Sequence, residues 1–227
     1  MTNYMFKNKQ SKKLIIITFL VIASFIMLLL ALKNHTSANL KILTFPNNET
    51  TKEINETDLK TTIDLGLQEA QKWSTNSKLV EASSADDGDI IEGLRGVNGQ
   101  RYSWNLFFVD EKASKYYYIK ILNGKIISQR EAQGYPFGPI NIIDNMLNST
   151  DALEIAKKYK SLKPGQEWAK GYHFKLTQPK DFPIINVIGS SPEGNFSVIE
   201  INAKTKEIIS SQKKIYDKDG KQLWIDY

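Results

Sequence analysis

Apolar and polar positions follow three different rhythms along this chain. From Leu14 to Leu32 (LIIITFLVIASFIMLLLAL) there is no alternation at all: only Thr18 and Ser24 carry polar side chains and no charge interrupts the run. Rising about 1.5 Å per residue, such a helix spans the roughly 30 Å hydrocarbon core of a bilayer and satisfies its own backbone there. From Leu59 the rhythm turns helical. Leu59, Ile63, Leu67 and Ala70 share one stripe of an amphipathic helix ending near Trp73, with Thr57 or Asn55 as its cap and Asp58 in its first turn. Gly66 costs that helix about 1 kcal/mol relative to alanine, so packing must hold it together.

From Lys78 the period drops to two. A short strand Lys78–Ala82 precedes a loop over 83–99, and the segments Arg101–Asp110 (RYSWNLFFVD) and Lys115–Leu122 (KYYYIKIL) are dense in aromatic and β-branched residues. Asn123-Gly124 is a strong type I′ hairpin signal leading into Lys125–Arg130. The glycines and prolines of 131–149 mark a boundary. The plan then repeats, with caps at Asn148-Ser149-Thr150 and a helix to about Ser161 whose stripe is Ala152, Ile155, Ala156 and Tyr159. Strands follow at Gly171–Thr177, Ile184–Gly189, Phe196–Ala203 and Glu207–Ile215, and an Asp219-Gly220 turn returns Lys221–Ile225 as a last hairpin arm. IKILNGKIISQR (119–130) matches IEINAKTKEIISSQKK (199–214), so the two halves read as an internal duplication.

Charge orients the first segment. Lys7, Lys9, Lys12 and Lys13 precede the apolar run and only Lys33 and Lys41 follow closely, which keeps the N-terminus cytoplasmic and sends the remainder across the membrane. The run exceeds the 7–15 residues of a typical signal-peptide core and ends without a good cleavage pattern, so its length favours a retained anchor. The expected organisation is a basic tail (1–13), a transmembrane helix (14–32), a polar spacer (33–56), a first module (57–130), a linker (131–149) and a second module with a C-terminal hairpin (150–227). The fold class is α+β: an N-terminal transmembrane helix followed by two tandem helix-plus-antiparallel-sheet modules.

The formal net charge of +5 resides largely beside the anchor, and arginine occurs only at Arg95, Arg101 and Arg130. Nucleic-acid binding is therefore not expected. The absence of cysteine removes disulfides, thiolate metal sites, cysteine nucleophiles and attachment through a lipidated cysteine. No cofactor, metal or catalytic residue is assigned. Asp217-Lys218-Asp219-Gly220 lacks the closing glutamate of a calcium loop and reads as a turn. Asp86, Asp87 and Asp89 form a solvated acidic loop that could hold a cation loosely. His173, with no second histidine in the domain, does not make a zinc site.

The aromatic strands stand above this background. One face of the sheet must pack on the helix. Ile119 and Ile121 take the inner face with Tyr117, and Tyr116 and Tyr118 then point outward as candidate partner-binding residues. A packed core with cross-strand pairs is the competing reading.

Each half resembles a PepSY-type module. The likeness rests on Trp104 and Tyr118–Ile127 in the first half, and on Ala152–Lys158, Tyr172, Phe174 and Val198–Ile209 in the second. Two departures stand out: Lys206 occupies a hairpin position where that family usually has glycine, and Tyr172 and Phe174 stand where tryptophan is common. The resemblance implies regulation or inhibition of a peptidase near the cell surface, with no catalytic residues. The expected protein is thus a single-pass, membrane-anchored, extracytoplasmic and non-catalytic interaction or regulatory protein of the cell envelope. Its expected partners are the bilayer, through Leu14–Leu32, and an envelope protein or peptidase. An anchored hydrolase or hydrolase accessory, and a cell-wall polymer sensor, are the alternatives.

Overall fold

Asp58 starts the first helix. Its carboxylate accepts the Thr61 amide at 2.8 Å, and fifteen residues then run as α1 (Leu59–Trp73). The cap is Asp58 rather than Thr57 or Asn55, because Thr57 faces inward and its hydroxyl pairs with that of Thr62 at 2.9 Å. Asn55 instead accepts a role outside the helix, donating its backbone N–H to Asn123 Oδ1 at 2.6 Å. This computed structural model describes residues 54–86, 95–132, 134, 138–141, 144–166 and 169–227. The basic tail, the apolar run Leu14–Leu32 and most of the spacer lie outside the described residues. Among those described, no helix is long and apolar enough to cross a membrane.

The strands are β1 (Ser77–Ala85), β2 (Ser103–Asp110), β3 (Lys115–Leu122) and β4 (Lys125–Ala132). After the second helix, α2 (Ser149–Lys160), come β5 (His173–Thr177), β6 (Ile184–Ser190), β7 (Phe196–Asn202), β8 (Ile208–Tyr216) and β9 (Gln222–Asp226). Asn123 and Gly124 join β3 to β4 with φ of 53° and 68°, the left-handed pair that a type I′ turn requires. Asp217 builds the β8–β9 turn by accepting the amides of Asp219 and Lys221, each at 2.9 Å.

The expected pair of tandem helix-plus-sheet modules is not what forms. The strands make one nine-stranded antiparallel sheet in the order β4-β3-β2-β1-β5-β6-β7-β8-β9, and residues Glu53–Tyr227 are one compact unit. The reason lies at β1. It runs to Ala85, past the end expected from its alternation, and so offers β5 a free edge: Ala82 pairs with Leu176 and Ser83 with Lys175. Two separate modules would each leave such an edge open to solvent, and joining them closes both. The helices are tied as well. Asn148 caps α2 by accepting the Ser149 amide at 2.8 Å, and its Oδ1 also accepts Lys60 N–H at 3.1 Å. Ser149 Oγ accepts Leu59 N–H at 2.9 Å, so the start of α2 satisfies donors at the start of α1.

A single core results. The row Leu106, Ala82, Leu176, Ile185, Ile201 crosses five strands in register and is entirely buried. Leu59, Ile63 and Ala70 of α1, and Ala152, Leu153 and Ala156 of α2, pack into the same cluster. Tyr159, assigned to the stripe of α2 by periodicity, is instead 49 % exposed. At Gly66 the helix comes so close to β2 that a Cβ would stand 2.1 Å from Leu106 Cδ1.

Candidate functional site

The period-2 alternation of β3 sorts its side chains as its sequence requires. Tyr117, Ile119 and Ile121 are buried toward the helices, and Tyr116, Tyr118 and Lys120 are half-buried on the face no described helix covers. Register then sets their neighbours: Tyr116 stands opposite Val109, and Tyr118 lies between Phe107 on β2 and Arg130 on β4. The Phe107 and Tyr118 rings meet at 5.1 Å with a 49° tilt, and the Arg130 guanidinium sits 5.0 Å from the Tyr118 ring centre. Tyr118 Oη donates to Asn105 Oδ1 at 2.7 Å, which fixes the ring on the sheet. On the opposite face Trp73 of α1 stacks on Tyr117 at 4.8 Å and 5°.

Toward β5–β8 a row of the same face is polar. Ser83, Lys175, Asn186, Glu200 and Ser210 form one row across the register. Lys175 bridges the buried Glu81 at 2.8 Å, and Ser210 Oγ donates to Glu200 at 2.9 Å. That row separates the aromatic and cationic patch of Phe107, Tyr116, Tyr118 and Arg130, at the β2–β4 end, from the β7–β9 end of the face.

A second cluster forms where β1 meets β5. Arg101 is 1 % exposed. Its Nη1 donates to the carbonyls of Lys170 (3.1 Å) and Tyr172 (3.2 Å), and its Nη2 donates to that of Ala85 (3.0 Å) and to Asp86 Oδ1 (2.5 Å). Asp86 Oδ2 lies 3.1 Å from His173 Nε2, and Ser84 Oγ lies 3.2 Å from His173 Nδ1. Burial by itself would raise the Asp86 carboxyl, but the hydrogen bond and charge of His173 and the charge of Arg101 outweigh it and bring it down to about 2. Burial likewise weakens the hold of Arg101 on its proton, and Asp86 opposes that.

Ser84, His173 and Asp86 follow one another as nucleophile, base and orienting acid do in a hydrolase. Here, however, Ser84 Oγ accepts the Phe174 N–H at 2.9 Å, in place of a strand carbonyl, and Asp86 is engaged by Arg101. The cluster closes the seam of the sheet. Sequence reading missed it because the contacts that assemble it join Ser84 and Asp86 to Arg101 and to His173 and Phe174, 15 to 90 residues away. The one available signal was a lone arginine opening an aromatic strand. Of the acidic loop, Asp86 belongs to this cluster, while Asp87 and Asp89 lie outside the described residues. Among the described residues no group of three or more acidic or histidine side chains is placed to hold a metal.

Comparison with known protein families finds no match, and no curated protein matches the chain. The fold has a solved counterpart. A crystal structure from Clostridium difficile 630, described as a "putative lipoprotein", aligns with a TM-score of 0.52 over 72% of this chain and 97% of its own, at 12% identity. Similarity at that identity is similarity of fold. The PepSY-type resemblance thus stands without a family match, and what these comparisons establish is a fold shared with that Clostridium difficile protein.

Proposed function

We propose that this chain is a non-catalytic interaction or regulatory protein held at the cell envelope, and that it recruits a protein partner through the aromatic patch on the helix-free face. The observation that carries the reading is the gathering of Phe107, Tyr116, Tyr118 and Arg130 on the sheet face opposite the described helices. Tyrosine and arginine dominate protein-binding hot spots because they offer large, rigid or multidentate contact at modest entropic loss. The envelope setting rests on the uncharged run Leu14–Leu32 and the lysines before it. It is in keeping with the description of the structurally similar Clostridium difficile protein as a "putative lipoprotein". In a sequence with no cysteine to acylate, that apolar run would supply the attachment.

The test is the double substitution Tyr116→Ser with Tyr118→Ser, followed by crosslinked partner capture from intact membranes. Capture should fall sharply while the fold survives, the cost being confined to about 1–2 kcal/mol for one side-chain hydrogen bond and two half-buried rings. Undiminished capture from the folded variant refutes the assignment. The anchored-hydrolase reading draws on one observation, the Ser84–His173–Asp86 alignment. Covalent labelling of Ser84 by a serine-reactive fluorophosphonate would favour it over ours.

A further inference from the structure

The two edges of the sheet are built differently. β4 closes one side with Lys125, Arg130 and Glu131, the kind of charged edge that discourages further pairing. β9 closes the other with Gln-Leu-Trp-Ile-Asp, charged only at Asp226 and exposed along its whole length. Leu223, Trp224 and Ile225 are 37 %, 49 % and 36 % exposed. Hydrogen bonds from Asp217 N–H to Lys221 C=O and from Tyr227 N–H to Ser211 C=O fix the phase of the β8–β9 ladder. Antiparallel alternation then turns the backbone groups of Leu223 and Ile225 toward β8, and those of Gln222, Trp224 and Asp226 out to the free edge.

We propose that this edge docks on the same edge of a second copy of the chain, β9 antiparallel to β9 about a two-fold axis at Trp224. The strand is self-complementary in that register. Trp224 faces Trp224 and Gln222 faces Asp226, so every outward backbone N–H and C=O of β9 meets its counterpart. Any other register leaves some of those groups without a strand partner. Side chains agree with the backbone: the single acid of the strand meets a neutral amide donor instead of another carboxylate. Leu223 meets Ile225 on the helix-bearing face. On the other face the two Trp224 rings meet, each backed by Phe196 at 5.7 Å. A foreign strand could use the edge, but this palindromic arrangement of donor, apolar centre and acceptor specifies another β9. The pairing does not depend on the function of the tyrosine patch.

The cysteine-free chain makes the register directly testable. Leu223→Cys and Ile225→Cys are placed in two differently tagged full-length chains, which are co-produced in one membrane and mildly oxidised. In the proposed register these positions form a directly opposed, non-hydrogen-bonded pair within disulfide reach. The mixed disulfide should form about tenfold faster than Leu223→Cys with itself, and faster than Ile127→Cys with itself on the exposed β4 edge. Equal rates at all three overturn the proposal, as does capture of a different protein by the β9 cysteines. Without crosslinking, the wild-type full chain in detergent should sediment as two copies and Trp224→Asp, which sets two carboxylates face to face, as one. Two copies persisting in Trp224→Asp, or one copy in the wild type, also overturn it.

Discussion

Replacing Gly66 with alanine sets helix propensity against packing, and the structure determines the sign. In an exposed helix interior the exchange stabilises by about 1 kcal/mol. At Gly66 the new Cβ would stand 2.1 Å from Leu106 Cδ1 and 3.2 Å from Phe108 Cζ. Comfortable carbon contacts lie near 3.5–4.0 Å, so the leucine methyl must retreat by about 1.5 Å. Leu106 and Phe108 are fully buried in one cluster with Ala82, Trp104 and Ile119, so the methyl must move against packed side chains. Overpacking of that kind costs about 1–3 kcal/mol, so the net effect is a loss of about 1 kcal/mol. For a unit of this size that lowers Tm by about 2–4 °C. Thermal unfolding followed by far-UV circular dichroism measures it, with Thr61→Ala on the exposed side of α1 as the control in which propensity acts alone and Tm rises slightly. A higher Tm for Gly66→Ala than for wild type would refute the close approach of α1 to β2.

Arg101→Met should be far more damaging, by about 3–5 kcal/mol, because it abandons Asp86 and three carbonyls at the seam; a midpoint in urea within about 1 kcal/mol of wild type would show the network to be incidental. Asp86 has a folded pKa of about 2, below its unfolded value, so its contribution is present above about pH 4 and lost as pH falls toward 2. Asp86→Asn should flatten the acid limb of the stability profile between those values, and an unchanged limb would contradict the assignment. Lys206 holds a φ of 66° in the β7–β8 turn, where a side chain costs about 1 kcal/mol. Lys206→Gly should therefore raise Tm by a degree or two, since relief of that strain exceeds glycine's added unfolded-state entropy; a fall in Tm speaks against a strained turn.

Much of the local structure was legible in the sequence because local structure obeys local rules. Asn123-Gly124 announced a tight hairpin, and the alternation of β3 placed Tyr117, Ile119 and Ile121 inward. Lys206, which stands where PepSY-type hairpins usually have glycine, occupies a left-handed backbone position that the sequence reading did not anticipate. What failed was the division into two modules, which depended on how distant strands pair. Periodicity could not say that β1 would run on to Ala85 and pair with β5, because that choice is made by an edge needing a partner ninety residues away. Nor could it say that Asn148 and Ser149 would serve α1 as well as α2. Tyr159 was misplaced because its stripe neighbours are small and the helix rotates to bury Leu153. The patch at Tyr116 and Tyr118 was legible as two outward rings, while Phe107 and Arg130 joined them only through strand register.

The sharing of caps between the helices bears on how the chain folds. Synthesis proceeds from the N-terminus, so α1 emerges with Leu59 and Lys60 lacking donors' partners that lie 90 and 88 residues ahead. Until β5 follows, β1 also presents a bare edge. Contacts this far apart in sequence close slowly, since loop entropy must be overcome before they reward the chain. The first half is therefore a waiting state with an open strand edge, vulnerable to mispairing with its own kind and suited to chaperone protection. Cutting the chain between β4 and α2 would not release an independent half but would make that waiting state permanent.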